Sequence, residues 1–233
     1  MTGYVGKELE LFKHARNWKK YYARFLTPFL KGDVLEVGAG IGESTVSLCS
    51  TTQNSWLCLE PDEQLAKEID QKKEKGYLPS FVEVITGTLD SMATHRQFDT
   101  IIYIDVIEHI ENDGQELQHA AGFLRPGGHI IILAPAHQYL FSAFDKAIGH
   151  FRRYNKKILR KAIPEELKPV QLRYLDSMGL LASLANKWFL KKDYPSLKQI
   201  QFWDNYIIPV SIFTDRIVFY SLGKTIIGIW QKQ

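Results

Sequence analysis

The segment DVIEHI carries side chains that could move a proton or bind a metal ion. Asp105, Glu108 and His109 follow a run of apolar residues there, and His150 stands farther along the chain. If the segment leaves a strand and turns into a helix near Glu108, these side chains converge. His109 is open to three roles: a general base with a pKa near working pH, a metal ligand, or a helix cap. We expect His109 or His150 to take a substrate proton.

A second group of polar residues could bind an acceptor molecule. Arg152 and Arg153 precede a basic helix, which Asn155 is predicted to cap. Arginine is suited to phosphate and carboxylate groups, so an anionic acceptor is one prediction. Singly, each residue is also compatible with a structural role. The predicted acceptor-binding residues are His137, Asp145, Arg152, Arg153 and Tyr154.

The segment VLEVGAGIGEST combines an acid with closely spaced glycines. Gly38, Gly40 and Gly42 leave the backbone open to a ligand, because a Cβ would block its approach. Dinucleotides and S-adenosylmethionine both bind at such turns. The dinucleotide pattern needs a glycine three positions after its second one, and neither possible position holds one. Glu36 would repel a pyrophosphate but attract an ammonium or sulfonium, which favours S-adenosylmethionine.

Two further segments suit the nucleoside part of such a cofactor. Glu60 ends the apolar run LCLE, where a carboxylate can accept from two ribose hydroxyls. Thr88, Leu89 and Asp90 follow another apolar segment. Asp90 could accept from an adenine amino group, with Leu89 against the ring, or it could cap a helix. Glu60 could instead be a solvent-facing acid.

These residues require a scaffold that brings strand ends together. Apolar, β-branched segments alternate with amphipathic ones through residue 136. This alternation predicts an α/β fold with a parallel, doubly wound sheet, whose ligands bind at the carboxyl ends of the strands. The segment RPGG is predicted to end a helix before a fifth strand that begins at His129. The predicted strands are DVLEVG, SWLCLEPD, FVEVITG, FDTIIYIDVIEHI and HIIILAPA.

Five segments together resemble the motifs of class I S-adenosylmethionine-dependent methyltransferases in type, order and spacing. They are VLEVGAGIGEST, LCLEPDEQLA, ITGTLD, FDTIIYIDVIEHI and LRPGGHIIILAPA. The resemblance covers roughly residues 30–160. It implies a Rossmann-like, seven-stranded, mostly parallel sheet with an antiparallel last strand. PVQLRYLDS and KTIIGIWQKQ would then be strands 6 and 7.

The resemblance also implies a role for each matching residue. The glycine loop and Glu36 would hold the methionine end of the cofactor, and Glu60 would hold the ribose. Asp105 would lie near the methyl-donating sulfur. The residues so implied to bind S-adenosyl-L-methionine are Glu36, Gly38, Gly40, Gly42, Glu60, Thr88, Leu89, Asp90 and Asp105.

The segment from Arg125 to Leu159 is similar to a small-molecule branch of the family, the methyltransferase type 11/12-like proteins. That branch is met in natural-product and cell-surface glycan pathways. It implies methyl transfer to a small acceptor, and we expect a hydroxyl oxygen as the methylated atom. The alternative is a chain that keeps the cofactor fold without turnover, as a binding module or regulatory partner. A nicotinamide-dependent enzyme is disfavoured by the glycine spacing.

The spacing of Asp105, Glu108 and His109 resembles a divalent-metal site. Ubiquinone-pathway O-methyltransferases and RNA 3′-end methyltransferases have a similar pattern with Glu in the first place. In both, a later histidine follows strand 5, and His150 stands at a comparable position. This chain departs from the pattern at Asp105, whose shorter side chain puts a shared ion in doubt. We therefore expect a histidine base, no bound metal, and turnover that survives chelation.

The bulk properties exclude several classes of protein. A net charge of +3 over 233 residues, without interleaved basic and aromatic residues, does not predict nucleic-acid binding. The two cysteines have no metal-ligand spacing and suggest a reduced, cytoplasmic setting. The first residues lack the apolar core of a signal peptide.

The predicted organisation is a single domain over residues 1–233, with two helical additions. Residues 1–30 form an N-terminal cap, in which Trp18, Tyr21 and Tyr22 either cover the cofactor or pack in the core. Residues 177–222 form an insertion between the last two strands, which charged residues and a proline keep from being transmembrane. This insertion is predicted to be a lid, an apolar acceptor pocket, a dimer interface or a membrane-surface patch. The chain would then be a monomer or a homodimer.

Overall fold

A twisted sheet forms the centre of the protein. The computed structural model describes residues 8–185 and 194–233. Its strands are β1 (Asp33–Val37), β2 (Ser55–Glu60), β3 (Val82–Thr86), β4 (Phe98–Ile104), β5 (Leu124–Pro135), β6 (Leu167–Leu175) and β7 (Thr225–Lys232). Within the described residues they form one seven-stranded sheet in the order β3-β2-β1-β4-β5-β7-β6.

The direction of the strands confirms the predicted fold class. Strands β1 to β5 pair in parallel, whereas β7 runs antiparallel to both β5 and β6. The central strands are buried on both faces, which is why β4 carries the apolar run Ile101 to Tyr103, all fully buried. The amino end of β7 therefore lies at the same edge of the sheet as the carboxyl ends of the parallel strands.

Strand β5 begins earlier than the sequence suggests. The RPGG segment was predicted to be a turn before the strand, but the strand already starts at Leu124. The pairing with β4 shifts register between Leu124 and His129, so the four residues form an irregularity within the strand. Gly127 has a positive φ of 78° there, a conformation that glycine adopts without a steric penalty.

Helices cover both faces of the sheet. The described α-helices are α1 (Glu8–Phe12), α2 (Arg16–Leu26), α3 (Glu43–Leu48), α4 (Glu63–Glu74), α5 (Asp113–Gly122), α6 (Ala143–Ala147), α7 (Lys156–Ala162), α8 (Ser177–Ala185), α9 (Leu197–Phe202) and α10 (Ile208–Ile217). A π-helical turn, Trp203–Ile207, joins α9 to α10. Helices α5 and α7 pack on one face through Leu117 and Leu159, and α2 and α4 pack on the other. None of the described helices is long and apolar enough to cross a bilayer.

Buried carboxylates join helices of the two predicted additions, residues 1–30 and 177–222. Asp204 accepts hydrogen bonds from the backbone N–H groups of Asn17 at 3.0 Å and Trp18 at 2.8 Å. It thereby caps α2 from a distant segment, since the residue before α2, Ala15, has no side chain that could do so. Asp215 on α10 accepts from the Tyr21 hydroxyl at 2.8 Å. The parts of the predicted additions at 1–7 and 186–193 lie outside the described residues.

Candidate active site

A cavity of about 940 Å³ opens at the carboxyl edge of the sheet. Its floor is formed by the glycine loop after β1 and by the ends of β4 and β5. Aromatic residues of the N-terminal helices and of the segment after α8 form its walls, among them Trp18, Tyr22 and Trp203. The site therefore lies where a parallel α/β sheet places its ligands.

The glycine loop has the left-handed backbone that glycine allows. Gly38, Gly40 and Gly42 have φ values of 67°, 57° and 75°. A Cβ on Gly38 would lie 2.7 Å from a Val106 methyl carbon, so packing against the protein itself requires that glycine. A Cβ on Gly40 would meet only Leu9, at an ordinary 3.5 Å. Gly40 thus leaves room beside the backbone that a ligand can use.

Glu36 supports this loop from beneath. Its carboxylate accepts hydrogen bonds from the Thr45 hydroxyl at 2.7 Å and from Trp56 Nε1 at 2.9 Å. The side chain is buried and is not among the residues that line the cavity. Burial raises the pKa of Glu36 to about 7, although these two donors oppose the rise.

Glu60 ends β2 beside the glycine loop. Its Oε2 accepts from the Gly40 N–H at 2.7 Å, and its Oε1 accepts from the Asp62 N–H at 3.0 Å. Burial raises the pKa of Glu60, while these backbone donors oppose the rise. Each carboxylate oxygen can accept a second hydrogen bond, so both remain able to bind hydroxyl groups.

The segment after β3 lies outside the cavity. Thr88 precedes a single 3₁₀ turn, Leu89–Ser91. Leu89 is buried in the core and only 1% exposed, so neither its side chain nor its main chain is open to a ring at the surface in this structure. Asp90 is exposed, with Oδ1 at 3.4 Å from Nδ1 of His119.

Asp105 has an unusual backbone conformation. It follows β4 with a φ of 53°, in the left-handed region that few residues other than glycine adopt. Such a conformation has an energetic cost, and it is concentrated at functional sites. The residue lines the cavity and is exposed to it; the surrounding protein partly desolvates the carboxyl and raises its pKa, while Lys224 and Arg153 oppose the rise.

Glu108 is a buried acid whose carboxylate makes no hydrogen bond with the described part of the chain. It lies in a 3₁₀ turn, Ile107–His109, where the sequence predicts the start of a longer helix. Neither carboxylate oxygen accepts a hydrogen bond from residues 8–185 or 194–233. Burial and the neighbouring charge of Asp105 raise the pKa of Glu108 well above its usual range.

Two histidines meet next to Glu108. The rings of His109 and His150 are in edge-to-face contact, with centroids 4.5 Å apart. Burial, with a smaller contribution from His150, lowers the pKa of His109 to about 4. One ligand atom from each of Glu108, His109 and His150 lies within 4.8 Å of the others.

His150 is oriented by Asp145. Its Nδ1 lies 2.9 Å from Asp145 Oδ1, and its Nε2 lies 3.8 Å from Glu108 Oε1. Burial by itself would raise the pKa of Asp145, but hydrogen bonds from His150 and Arg153 outweigh it and lower the pKa. Asp145 is therefore ionised at neutral pH.

The structure separates the predicted acceptor-binding residues. Asp145 and Arg153 line the cavity, and Arg153 Nε lies 2.7 Å from Asp145 Oδ1. Three others are not among the residues that line it. Arg152 pairs with Asp113 at 2.7 Å, and the buried Tyr154 hydroxyl donates to the same carboxylate at 2.8 Å. His137 is stacked on the rings of Tyr139 and Tyr174.

Glu8, Trp203 and Lys224 are among the cavity residues that the predicted set does not contain. The Lys224 ammonium lies 4.2 Å from the centre of the Trp203 ring and 3.7 Å from Asp176. Burial lowers the pKa of Lys224. Glu8 begins α1 and is close enough for its charge to interact with His150. One signal in the sequence points to Lys224: it directly precedes an antiparallel last strand, whose amino end meets the ligand edge.

Comparison with known proteins shows which family has this geometry. A family model described as a methyltransferase domain matches residues 11–193. The chain belongs to that family. Family, fold and motif order together confirm the resemblance to class I S-adenosylmethionine-dependent methyltransferases, and S-adenosylmethionine is the cofactor of this family.

Three similar proteins illustrate the range of relatives. A ubiquinone biosynthesis O-methyltransferase of Rickettsia felis is 26% identical over 173 residues, which are 70% of this chain and 70% of that protein. A mitochondrial protein of the same name from Dictyostelium discoideum is 28% identical over 114 residues, 43% of this chain. That match spans only 34% of the Dictyostelium protein.

A solved N-methyltransferase from Bradyrhizobium japonicum, in complex with S-adenosyl-L-homocysteine, has the same fold. It superposes with a TM-score of 0.60 over 94% of this chain and 87% of that one. The two sequences are 13% identical, so this likeness concerns the fold alone.

Proposed function

We propose that this methyltransferase-family protein transfers a methyl group from S-adenosylmethionine to a hydroxyl oxygen of a small acceptor. One observation carries the proposal: a single cavity joins the glycine loop to the pair formed by His150 and Asp145. A methyl donor at the loop and a base at the far wall would therefore lie in the same cavity. Relatives named as O-methyltransferases support oxygen as the methylated atom.

The residues present fit the cofactor. The open space beside Gly40 can receive the methionine end, and Glu60 beside it keeps acceptor capacity for ribose hydroxyls. The segment Thr88 to Asp90 follows β3, the strand next to β2, and would lie toward the adenine of the bound cofactor. Glu36 is best placed to act through Thr45 beneath the loop, since its carboxylate lies outside the cavity.

The proposed reaction is an in-line displacement. When bound, S-adenosylmethionine supplies a methyl group on a positively charged sulfur; the acceptor oxygen gains the methyl and the sulfur becomes a neutral thioether. His150 takes the hydroxyl proton at Nε2, because Asp145 holds its Nδ1. The ionised Asp145 then stabilises the charged imidazole. Asp105 borders the cavity from the end of β4 and positions the reacting groups.

The cavity wall suggests an acceptor that is partly apolar. Aromatic and aliphatic side chains line the part nearest the segment after α8, including Phe144, Ile200 and Trp203. Arg153 and Lys224 provide positive charge near the base, which would suit an anionic group on the acceptor. Placement in a natural-product or cell-surface glycan pathway stays a prediction.

The first test compares ligands by calorimetry. We expect S-adenosylhomocysteine to bind and NAD to produce no heat. Incubation with S-adenosylmethionine and a panel of hydroxylated small molecules should then give methylated products by mass spectrometry. Binding of S-adenosylhomocysteine without any product across the panel would support the alternative, a cofactor-binding module or regulatory partner. Tight binding of NAD alone would overturn the proposal.

A second candidate is methyl transfer assisted by a divalent ion, and the unpartnered oxygens of Glu108 favour it. Glu108, His109 and His150 would hold the ion, which would lower the pKa of the acceptor hydroxyl. One oxygen and two nitrogen ligands suit Mn²⁺, Fe²⁺ or Zn²⁺ better than Mg²⁺. The test is turnover after exhaustive chelation, with and without added Mn²⁺. Unchanged turnover supports the histidine base; loss that Mn²⁺ restores supports the ion.

A further inference from the structure

The helices that precede β7 expose an apolar stripe. Phe202, Tyr206, Val210, Phe213 and Ile217 are spaced by four, four, three and four residues along α9, the π-turn and α10. This spacing places them on one side of a continuous helical rod. Their exposures range from 46% to 66%, so nothing in residues 8–185 or 194–233 buries the stripe.

The opposite side of the same rod is already used. Trp203, Ile208 and Ser211 are buried against the rest of the protein, together with the carboxylates Asp204 and Asp215. The rod therefore has an inner face that holds the fold together. The apolar stripe is an additional feature, because packing of the rod does not require it.

The helices that carry the stripe expose no acid among their described residues. Within the described residues 177–185 and 194–222, the only acids are Asp204 and Asp215, and both are buried. Lys198 and Arg216 are exposed on the same helices. The exposed charges on these helices are therefore positive, and α1, which packs on α9, adds the exposed acid Glu10, which pairs with Lys13.

Helix α2 adds a row of cations beside the rod. Arg16, Lys20 and Arg24 are exposed, and α2 contains no acid. Each of these cations stands one position before a residue that contacts the rod or the segment after it. Asn17 contacts Asp204, Tyr21 contacts Asp215, and Phe25 contacts Tyr220. The row therefore lies about a quarter turn from the side of α2 that faces the rod.

We propose that this basic apolar face, formed by the stripe from Phe202 to Ile217 and the cations of α2, docks on an anionic lipid bilayer. Aromatic and aliphatic side chains on one side of a helix, flanked by Lys and Arg, are what binds at a headgroup layer. Phe202 also lines the cavity, so docking sets the cavity entrance at the lipid surface. A second copy of this chain fits less well, because two-fold pairing would bring the same cations opposite one another.

The test is flotation of the purified full chain with lipid vesicles. We expect the protein to float with phosphatidylcholine vesicles that contain phosphatidylglycerol, to float poorly with pure phosphatidylcholine, and to be released by salt. Vesicle binding by the variant Tyr206→Ser, Phe213→Ser should fall at least about tenfold, since each ring loses its apolar contact with lipid. The variant Arg16→Gln, Lys20→Gln, Arg24→Gln should weaken binding to anionic vesicles by at least about tenfold.

The matched control is Tyr77→Ser. Tyr77 is 66% exposed, like Phe213, but follows α4, which packs against β3 at the far edge of the sheet. The control should bind vesicles like the wild type. Affinity for S-adenosylhomocysteine, unchanged in every variant, would show that each one is folded.

Three results would overturn the proposal. One is a wild-type protein that does not float with anionic vesicles. Another is a Tyr206→Ser, Phe213→Ser variant that floats as well as the wild type. The third is a wild-type dimer on sizing that the same variant converts to monomers without any vesicle binding, which would assign the face to a second copy. Methyl transfer is not measured in these experiments, so their outcome is independent of the proposed activity.

Discussion

Nδ1 of His150 lies 2.9 Å from Oδ1 of Asp145, and this contact leaves Nε2 as the nitrogen that faces Glu108 and the cavity. Asp145 is held in turn by Arg153 and by Ser142. The imidazole is therefore oriented by a carboxylate whose own position is fixed. This arrangement is the basis of the first prediction.

Replacing His150 should remove the general base. We expect His150→Ala to lower kcat by about 10²–10⁴-fold, the usual contribution of such a base, without weakening S-adenosylhomocysteine binding. Asp145→Asn should lower kcat in the same direction, because the orienting charge is lost. His95→Ala, at an exposed histidine remote from the cavity, is the control. Full activity of both His109→Ala and His150→Ala would rule out a histidine base.

Gly40 should be needed for the cofactor and not for the fold. Gly40→Ala and Gly76→Ala both place a Cβ at a positive φ, 57° and 77°, without a close contact in the protein. Each should lower the free energy of unfolding by about 1–2 kcal/mol. Only Gly40→Ala should weaken the binding of S-adenosylhomocysteine, which calorimetry measures. Equal affinities in the two variants would mean that the cofactor does not approach the loop at this point.

Glu60 should contribute to cofactor affinity by accepting hydrogen bonds from the ribose hydroxyls. Glu60→Ala should raise the dissociation constant of S-adenosylhomocysteine at least about tenfold, because hydrogen bonds to a charged group contribute about 1.5–3 kcal/mol. Part of this loss will come from the freed Gly40 N–H, which Glu60 now holds. Glu63→Ala, an exposed acid three positions on, should leave the constant unchanged. An unaltered affinity for Glu60→Ala would place the ribose elsewhere.

Asp204 should stabilise the N-terminal helix from a distance. Asp204→Ala leaves the N–H groups of Asn17 and Trp18 without an acceptor. We expect the free energy of unfolding in urea to fall by about 1–3 kcal/mol. Asn205→Ala, at the exposed neighbouring residue, should change it by less than about 0.5 kcal/mol. A small effect at Asp204 would mean that water replaces the cap.

Glu36 should make stability depend on pH. Its pKa of about 7 in the folded protein exceeds the usual 4.5, so the folded state holds the proton more tightly than the unfolded state. The contribution of Glu36 is then full below pH 4.5 and is lost as the pH rises through about 7. The loss should be about 3 kcal/mol, since one pKa unit corresponds to about 1.4 kcal/mol. Urea unfolding of the wild type and of Glu36→Gln at pH 5 and pH 8 measures it, and parallel changes in both proteins would contradict the prediction.

The order of the elements could be predicted from the sequence because it depends on local patterns. Apolar runs ending in glycine or acid marked β1 and β2, and the structure has both strands at those residues. The predicted cap at Asn155 is confirmed, since its side chain accepts from the N–H groups of Lys157 and Ile158. Capping and periodicity involve residues within one or two turns of each other, so a linear pattern contains the necessary information.

The composition of the site was decided by tertiary structure. Arg152, Arg153 and Tyr154 are consecutive, and the sequence grouped them, but successive side chains of an extended backbone point in different directions. Only Arg153 enters the cavity, while its neighbours turn toward Asp113. Lys224 and Trp203 reach the same space from an antiparallel strand and a helical rod far along the chain. The positions of these two residues depend on how β7 pairs with β5 and on how the rod packs on α2. Neither follows from spacing along the sequence.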